Sequence, residues 1–384
     1  MNEHTLGFCD FIDGDCITPN DGQEKNGAII LCIRVSAPTG HSVTVNGTYA
    51  YECEPGVYQA TVVINGYRTA VVARDETEKS ERRINLFRFS DAVGKYRVSS
   101  DDNILFLQDL TEHSELYPSI FDHPYLAVYK KAHDLYGAKV HLNLFYELCE
   151  KSRKYFTDRP NYFNLSMMTE KYKAEFQANS NWLKLAFHSK AEFPASPYAA
   201  STADEVTADC ISVYREIMRF AGIESISNST TIHYGSGNRE VVRALRSLGF
   251  RSLTGYLDAD ANGNPIVSYY IPSNIISHIK HRDFWVDTQE DMIFGKIDKV
   301  MNLNDLERVK QDVIASADHP HRGSFVSIMI HEQYFYSGYR SYLPDFEERV
   351  LSSCKLLCER GYIGAHISDV TKEPELRNNP LFAE

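Results

Sequence analysis

After residue 100 the chain keeps to one rhythm, and that rhythm limits its fold more than any other feature. Short apolar runs, "NILFLQD" (103–109), "AKVHLNLFYE" (138–147), "WLKLAFH" (182–188), "STTIHYG" (229–235), "FRSLTGY" (250–256), "SFVSIMIH" (324–331) and "YIGAHISD" (362–369), alternate with stretches of helical period such as "TADEVTADCISVYREIMRFAG" and "LPDFEERVLSSCKLLCERG". Gly137, Gly222 and Gly361 follow three of these stretches as C-caps would, and "TADE" (202–205) has the spacing of a capping box. Strand alternating with helix builds a parallel sheet. Seven strands over about 280 residues predict an α/β fold with a closed or nearly closed β/α barrel, seven-stranded or irregular. An open doubly wound sheet is the alternative, but no glycine fingerprint follows the first strand, and "YGSGN" lacks the Walker lysine.

The first 90 residues read differently. "GAIILCIRVSA", "HSVTVNGTYAYE", "GVYQATVVING" and "YRTAVVARDE" are rich in Val, Thr, Tyr and Ile, with Asn-Gly and Pro-Gly turns about ten residues apart, the pattern of a small antiparallel β-sandwich. Residues 1–25 show no period and read as an extended lead-in; "DETEKSERR" (75–83) reads as a solvated linker. The expected organisation is an accessory sandwich over 1–90 and a barrel over 91–384.

Charge and composition narrow the partners. A formal net charge of -12, from 52 acidic and 40 basic residues, repels a phosphate backbone, so nucleic acid is not expected. No stretch approaches the roughly 20 apolar residues of a membrane span, and "MNEHTLGFCDFIDGD" has neither the basic start nor the apolar core of a signal peptide, which points to the cytoplasm. The eight cysteines are scattered, without zinc-ribbon spacing or the density of a disulfide framework. The oligomeric state is left open.

In a barrel the side chains just past each strand's C-terminus converge on one face. Here they are polar: Gln108 and Asp109, with Glu112 behind them; His188, then Glu192; His233 and Tyr234; His331 and Glu332. Asp109, His188 and Glu192 make a chemically sensible metal set, because zinc takes imidazole nitrogen and carboxylate oxygen at about 2.0–2.2 Å and a catalytic site uses three protein ligands. A water on such a metal has its pKa lowered to about 7 and can attack an acyl carbon. His331 is then a general acid for the leaving group. His233, Tyr234 and Glu332 are candidates for touching a substrate; His141, which alternates with apolar residues in "KVHLNLFYE", either packs with a hydrogen bond or does the same. "DHPHRG" (318–323) falls on the opposite, stability face, and "DADANGNP" (258–265) reads as a turn rather than a calcium loop, since the closing glutamate is absent.

The order of these motifs resembles the polysaccharide deacetylase family, the metal-dependent branch of the glycoside hydrolase/deacetylase β/α-barrel superfamily. In that family a first strand ends in two aspartates, the second of them a metal ligand, and "FLQD" is similar. A later strand ends in His-Ser/Thr-x-x-His, matched by "HSKAE" at His188 and Ser189 with Glu192 in the last place. A late strand ends in Leu-x-His, whose histidine is the acid, and "IMIH" puts His331 there. The resemblance implies a divalent metal, zinc first, and an acylated carbohydrate as substrate. Three departures follow, the first being that the family's Arg-x-Pro-Pro-Tyr segment, which orients the base and lines the pocket, is represented only by "TIHYGSGN", with Tyr234 and Gly235 recognisable. Gln108 stands where the family has its base, and an amide cannot take a proton from water, so Asp109 or Glu112 would have to replace it. Glu192 replaces a histidine, which shifts preference toward harder metals such as manganese. Two rival functions are a metal-free glycoside hydrolase using Asp109 with Glu332, and a sugar-binding protein that keeps the barrel without catalysis.

Overall fold

The computed structural model describes residues 5–371. The chain divides into two compact units, Met1–Val93 with Phe284–Asp291, and Gly94–Asp283 with Met292–Glu384.

The first unit is built from antiparallel strands. Ala28–Ser36 pairs with Val57–Ile64, and Arg68–Asp75 pairs with Ser80–Arg88. Thr48–Glu54 pairs with Val57–Ile64 on one side and Val43–Val45 on the other, so it carries the chain from one half of the sheet to the next. Alternate residues of both halves, among them Ile29, Leu31, Ile33, Val43, Val45, Val71 and Leu86, enter a single apolar cluster. Asn46 and Gly47 both take positive φ, as a two-residue hairpin requires. "DETEKSERR" is no linker: Asp75 caps the backbone N–H groups of Thr77 and Glu78, and the segment is the turn and first residues of a hairpin. Its charges reflect the exposed turn and outer sheet face. The lead-in also contributes short strands at Gly7–Phe8, Cys16–Ile17 and Gln23–Lys25.

The second unit is an α/β fold around a curled parallel sheet. Its strands are β1 (Lys95–Asn103), β2 (Val140–Phe145), β3 (Leu183–Ser189), β4 (Ser229–Thr230), β5 (Ser252–Gly255), β6 (Met292–Lys296) and β7 (Phe325–His331). Parallel ladders join β7 to β1, β1 to β2, β2 to β3, β4 to β5 and β5 to β6. The two remaining joins are made by single bonds and a short extension. Ser227 N–H donates to the Leu185 carbonyl at 2.9 Å, and Lys299–Val300, just beyond β6, pairs with Ile328 and Met329 of β7.

The sequence rhythm misplaces the first strand. β1 is "KYRVSSDDN", and "NILFLQD" belongs mainly to helix α1 (Leu105–Glu112). The reason is physical. β1 turns Arg97, Ser99 and Asp101, all buried, in the same direction, so it lacks the apolar alternation of an ordinary strand; Ile104–Leu107 is buried on every side, and a short apolar run of that kind does not distinguish helix from strand. β6, "MIFGK", was not among the expected runs, and "YIGAHISD" shrinks to the pair Ile363–Gly364 beside the start of β1.

The helices lie where the periods place them. α2 (Pro124–Tyr136) ends at Gly137 in the left-handed region, α3 (Ala203–Phe220) begins with the Thr202/Glu205 capping box, and α4 (Arg239–Ser247), α5 (Leu306–Ala317) and α6 (Phe346–Glu359) follow. "DADANGNP" is a small hairpin turn in which Asp260 accepts from Asn262 and Asn264 N–H groups, and His319 of "DHPHRG" caps its own turn before β7. Among the described residues no helix is long and apolar enough to cross a membrane.

Candidate metal centre

At the C-terminal ends of β1, β3 and β7 a cavity of about 330 Å³ opens. β1 delivers two adjacent carboxylates to it, Asp101 and Asp102. The β1–β2 register slips between Ser100 and Asn103, and Asp102 adopts φ +63°, a left-handed conformation that a non-glycine residue holds only under constraint. β3 delivers His188, the last buried residue but one of an apolar strand. The third contributor is His233, in a one-turn 3-10 helix beyond β4 whose next residue, Tyr234, also has positive φ (58°).

Three atoms converge. His188 Nε2 lies 3.0 Å from Asp102 Oδ1, His233 Nδ1 lies 3.1 Å from His188 Nε2, and His233 Nδ1 lies 3.3 Å from Asp102 Oδ1. The far nitrogen of each imidazole faces a backbone carbonyl: His188 Nδ1 that of Thr231, His233 Nε2 that of Glu192 at 3.0 Å. A carbonyl only accepts, so both far nitrogens carry protons, and in the neutral rings both near nitrogens then turn lone pairs toward the same point. Gln333 Nε2 donates to the second oxygen of Asp102 at 2.7 Å, which fixes the carboxylate.

Two lone pairs and a carboxylate oxygen repel one another at 3 Å unless a cation lies among them. One shared proton relieves only one pair; a metal ion relieves all three. Ligands about 2.0–2.1 Å from a tetrahedral centre stand about 3.3 Å apart, close to the three spacings found. The outer bonds to carbonyls and an amide are the supports that ligating groups ordinarily have. Asp102, His188 and His233 therefore fit a divalent metal, and three protein ligands leave a position for a substrate or water.

Burial raises the Asp102 carboxyl, but the close contacts with the His188 and His233 rings outweigh it and hold the group well below the usual range. Burial opposes a charge on His188, yet the Asp102 contact and the field of Asp101 raise it on balance. Glu192 is pushed up to about 7, by burial first and by Asp102 second.

Two further groups flank the three. Asp101 is buried, lines the cavity, and has one oxygen fixed by Asn143 Nδ2 at 2.6 Å. His331 is its register partner on β7, the neighbouring strand. Its Nδ1 lies 2.8 Å from Asn302 Oδ1 and donates there, which leaves Nε2 for the cavity.

The structure brings together some of the expected residues and separates others. His188, His233, Tyr234, Glu192 and His331 all line the cavity. Asp109, expected as the third ligand, does not: it sits on α1, where His123 Nε2 at 3.1 Å and the Arg159 guanidinium take its oxygens. Glu192 is near, but its backbone carbonyl orients His233 while its carboxylate faces the cavity, so the imidazole of His233 stands in the ligand place given to Glu192. Glu112 and Gln108 bond each other on α1, away from the cavity. Glu332, expected at the substrate, is fully buried and accepts three N–H groups of Ile104, Leu105 and Phe106 at 2.6–2.8 Å; it caps the start of α1. His141 points elsewhere in the sheet interior, with Nδ1 3.0 Å from Arg97 Nη2. Asp101 and Asp102 were missed. They form the only adjacent pair of aspartates in the sequence, and that is the signal that marks them.

No protein-family profile matches the chain, and no curated protein matches it. Among solved structures it is similar to the Bc1960 peptidoglycan N-acetylglucosamine deacetylase (11% identity, 74% of this chain and 90% of that one, TM-score 0.37). It is similar also to a family 4 acetyl xylan esterase from Clostridium thermocellum in complex with a cobalt ion (13%, 74% and 93%, TM-score 0.37). A third is BA3943, a CE4 family pseudoenzyme from Bacillus anthracis (11%, 73% and 66%, TM-score 0.35). These are likenesses of fold at low identity and low score, and the chemistry that follows rests on the side chains of the cavity.

Proposed function

We propose that this cavity is the active site of a metal-dependent hydrolase that removes acyl groups from a carbohydrate, on an irregular seven-stranded β/α barrel preceded by a small β-sandwich domain. The observation that carries the reading is the convergence of Asp102 Oδ1, His188 Nε2 and His233 Nδ1 beside a second carboxylate and a third histidine. Asp102, His188 and His233 would hold a divalent metal, zinc first given the two imidazoles, which when bound would supply Lewis acidity and make water a nucleophile near neutral pH. Asp101, with one oxygen held by Asn143, offers its other oxygen as the base that takes the proton of that water. His331, whose Nδ1 proton is held by Asn302, would act as the imidazolium, giving its second proton, on Nε2, to the departing sugar oxygen or nitrogen and ending neutral. Base and acid stand side by side on β1 and β7. Tyr234, 55% exposed, with Tyr256, Tyr334 and Tyr339, lines the rim with rings suited to sugar faces.

The metal-free glycosidase alternative loses its carboxylate pair, since Asp109 is ion-paired to Arg159 and Glu332 is consumed by the α1 cap. The test is acetate release by the zinc-loaded protein from a panel of O- and N-acetylated oligosaccharides. Asp101→Asn and His331→Ala should each lower kcat by roughly 10²- to 10⁴-fold with bound metal unchanged. Absence of acetate release by the loaded wild type across the panel, or undiminished turnover in Asp101→Asn, would overturn the proposal.

A further inference from the structure

The rim of the cavity carries one cation with no evident internal use. Arg340 lines the cavity and is exposed, and among the described residues no carboxylate oxygen lies within ion-pair distance of its guanidinium. Its position is nevertheless built. The guanidinium lies 3.8 Å from the ring centre of Tyr155, its backbone N–H donates to the Tyr155 carbonyl, and the neighbouring Tyr339 hydroxyl is its other polar contact. Tyr155 is braced in turn by Phe193.

The two loops that supply this pair are sewn together. Phe156 and Tyr339 form an antiparallel bridge, and Thr157 N–H donates to the Gly338 carbonyl at 3.0 Å. At Gly338 a Cβ would meet an Asp158 oxygen at 2.1 Å, so the Asp158 side chain lies directly against this backbone. The loop of Tyr155 is anchored further on by Arg159, which grips Asp109. A guanidinium held flat on a ring loses little freedom when it binds, and its planar fork matches an oxyanion. Glu192 feels Arg340 electrostatically but is not paired with it.

We infer that Arg340 is an anion subsite, so that the carbohydrate processed here carries a carboxylate or phosphate group within reach of the acyl group removed. This deepens the hydrolase reading and rests on the cavity being a carbohydrate site. The neutral rings of Tyr234 and Tyr339 take the sugar face, the three-ligand centre takes the acyl oxygen, and Arg340 selects for charge at the rim.

The test is calorimetric binding to the zinc-loaded full chain of three probes: N-acetylglucosamine, N-acetylglucosamine 6-phosphate and N-acetylmuramic acid. One of the two charged sugars should bind at least about tenfold more tightly than the neutral one, and which of them does so tells phosphate from carboxylate. Arg340→Gln should bring the charged sugar to the neutral level, and Arg340→Lys should restore part of the difference as a point charge without the fork. Tyr155→Leu, which removes the platform, should weaken the preference without removing the charge. Equal binding of charged and neutral sugars by the wild type, no binding of either charged sugar, or a preference that survives Arg340→Gln would overturn the inference. The readout needs no turnover: a charge preference in a protein without acetate release sinks the hydrolase reading alone, and acetate release without the preference sinks this inference alone.

Discussion

Asp102 and Asp109 stand seven residues apart, both largely buried, both hydrogen-bonded to an imidazole, and both held below the ordinary carboxylate range. What differs is the third member. Beside Asp109 it is Arg159, a permanent cation that forks onto the carboxylate, and the group of three is complete. Beside Asp102 it is His233, a second imidazole whose Nδ1 points inward, and no permanent cation stands in the group of three. One site is finished by the protein and fastens loops together; the other is finished only by a cation. Burial or a depressed carboxyl alone would not have separated them.

The comparison can be broken from either side. Asp109→Ala leaves the Arg159 guanidinium, with only 10% of its side chain exposed, without a counter-ion, and should cost about 3–5 kcal/mol in denaturant unfolding. Zinc stoichiometry should be unchanged, and a variant that lost metal would place Asp109 in the centre after all. Gln333→Ala removes the donor that fixes Asp102, and zinc affinity measured by chelator competition should fall by about 10- to 100-fold. An unaltered affinity would show that Asp102 needs no such support.

A smaller effect is expected on acidification. Burial raises the Asp109 carboxyl, but the His123 and Arg159 contacts outweigh it and hold its folded pKa below the unfolded value of about 3.9. The stabilisation is therefore fully present above that value and is lost as pH falls through the folded one. The stability gap between wild type and Asp109→Ala should be constant from neutral pH down to about 5 and should narrow below about 4. A gap that widened in acid would reverse the sign and with it the assignment of an ionised Asp109.

Much of this was legible in the sequence, for reasons the structure makes plain. α3 shows its amphipathic period and its capping box in the letters, and both form. His188 stands out because it ends a strand whose other residues before it, Lys184 apart, are apolar. Asp102 did not stand out, because β1 turns Arg97, Ser99 and Asp101 into a polar interior and so carries no apolar alternation; the loud run "ILFL" next to it belongs to a helix buried all round. His233 was placed on the rim, but its ligand geometry depends on the 3-10 turn and the left-handed Tyr234, which no periodicity announces. The resemblance supplied the pattern of paired aspartates, and reading the helical run as the strand set it seven residues further along, at Gln108 and Asp109 in place of Asp101 and Asp102.

The account's central claim is that Asp102, His188 and His233 hold a metal and that Asp109 and Glu192 do not. Zinc titration of the metal-stripped protein against a competing chelator tests it most directly, run on the wild type and on Asp102→Ala, His188→Ala, His233→Ala, Asp109→Asn and Glu192→Gln. The predicted result is one tight equivalent in the wild type, Asp109→Asn and Glu192→Gln, with affinity lowered by at least about 100-fold in each of the other three. A wild type that binds no tight equivalent, or a Glu192→Gln protein that loses it while His233→Ala keeps it, would contradict the account.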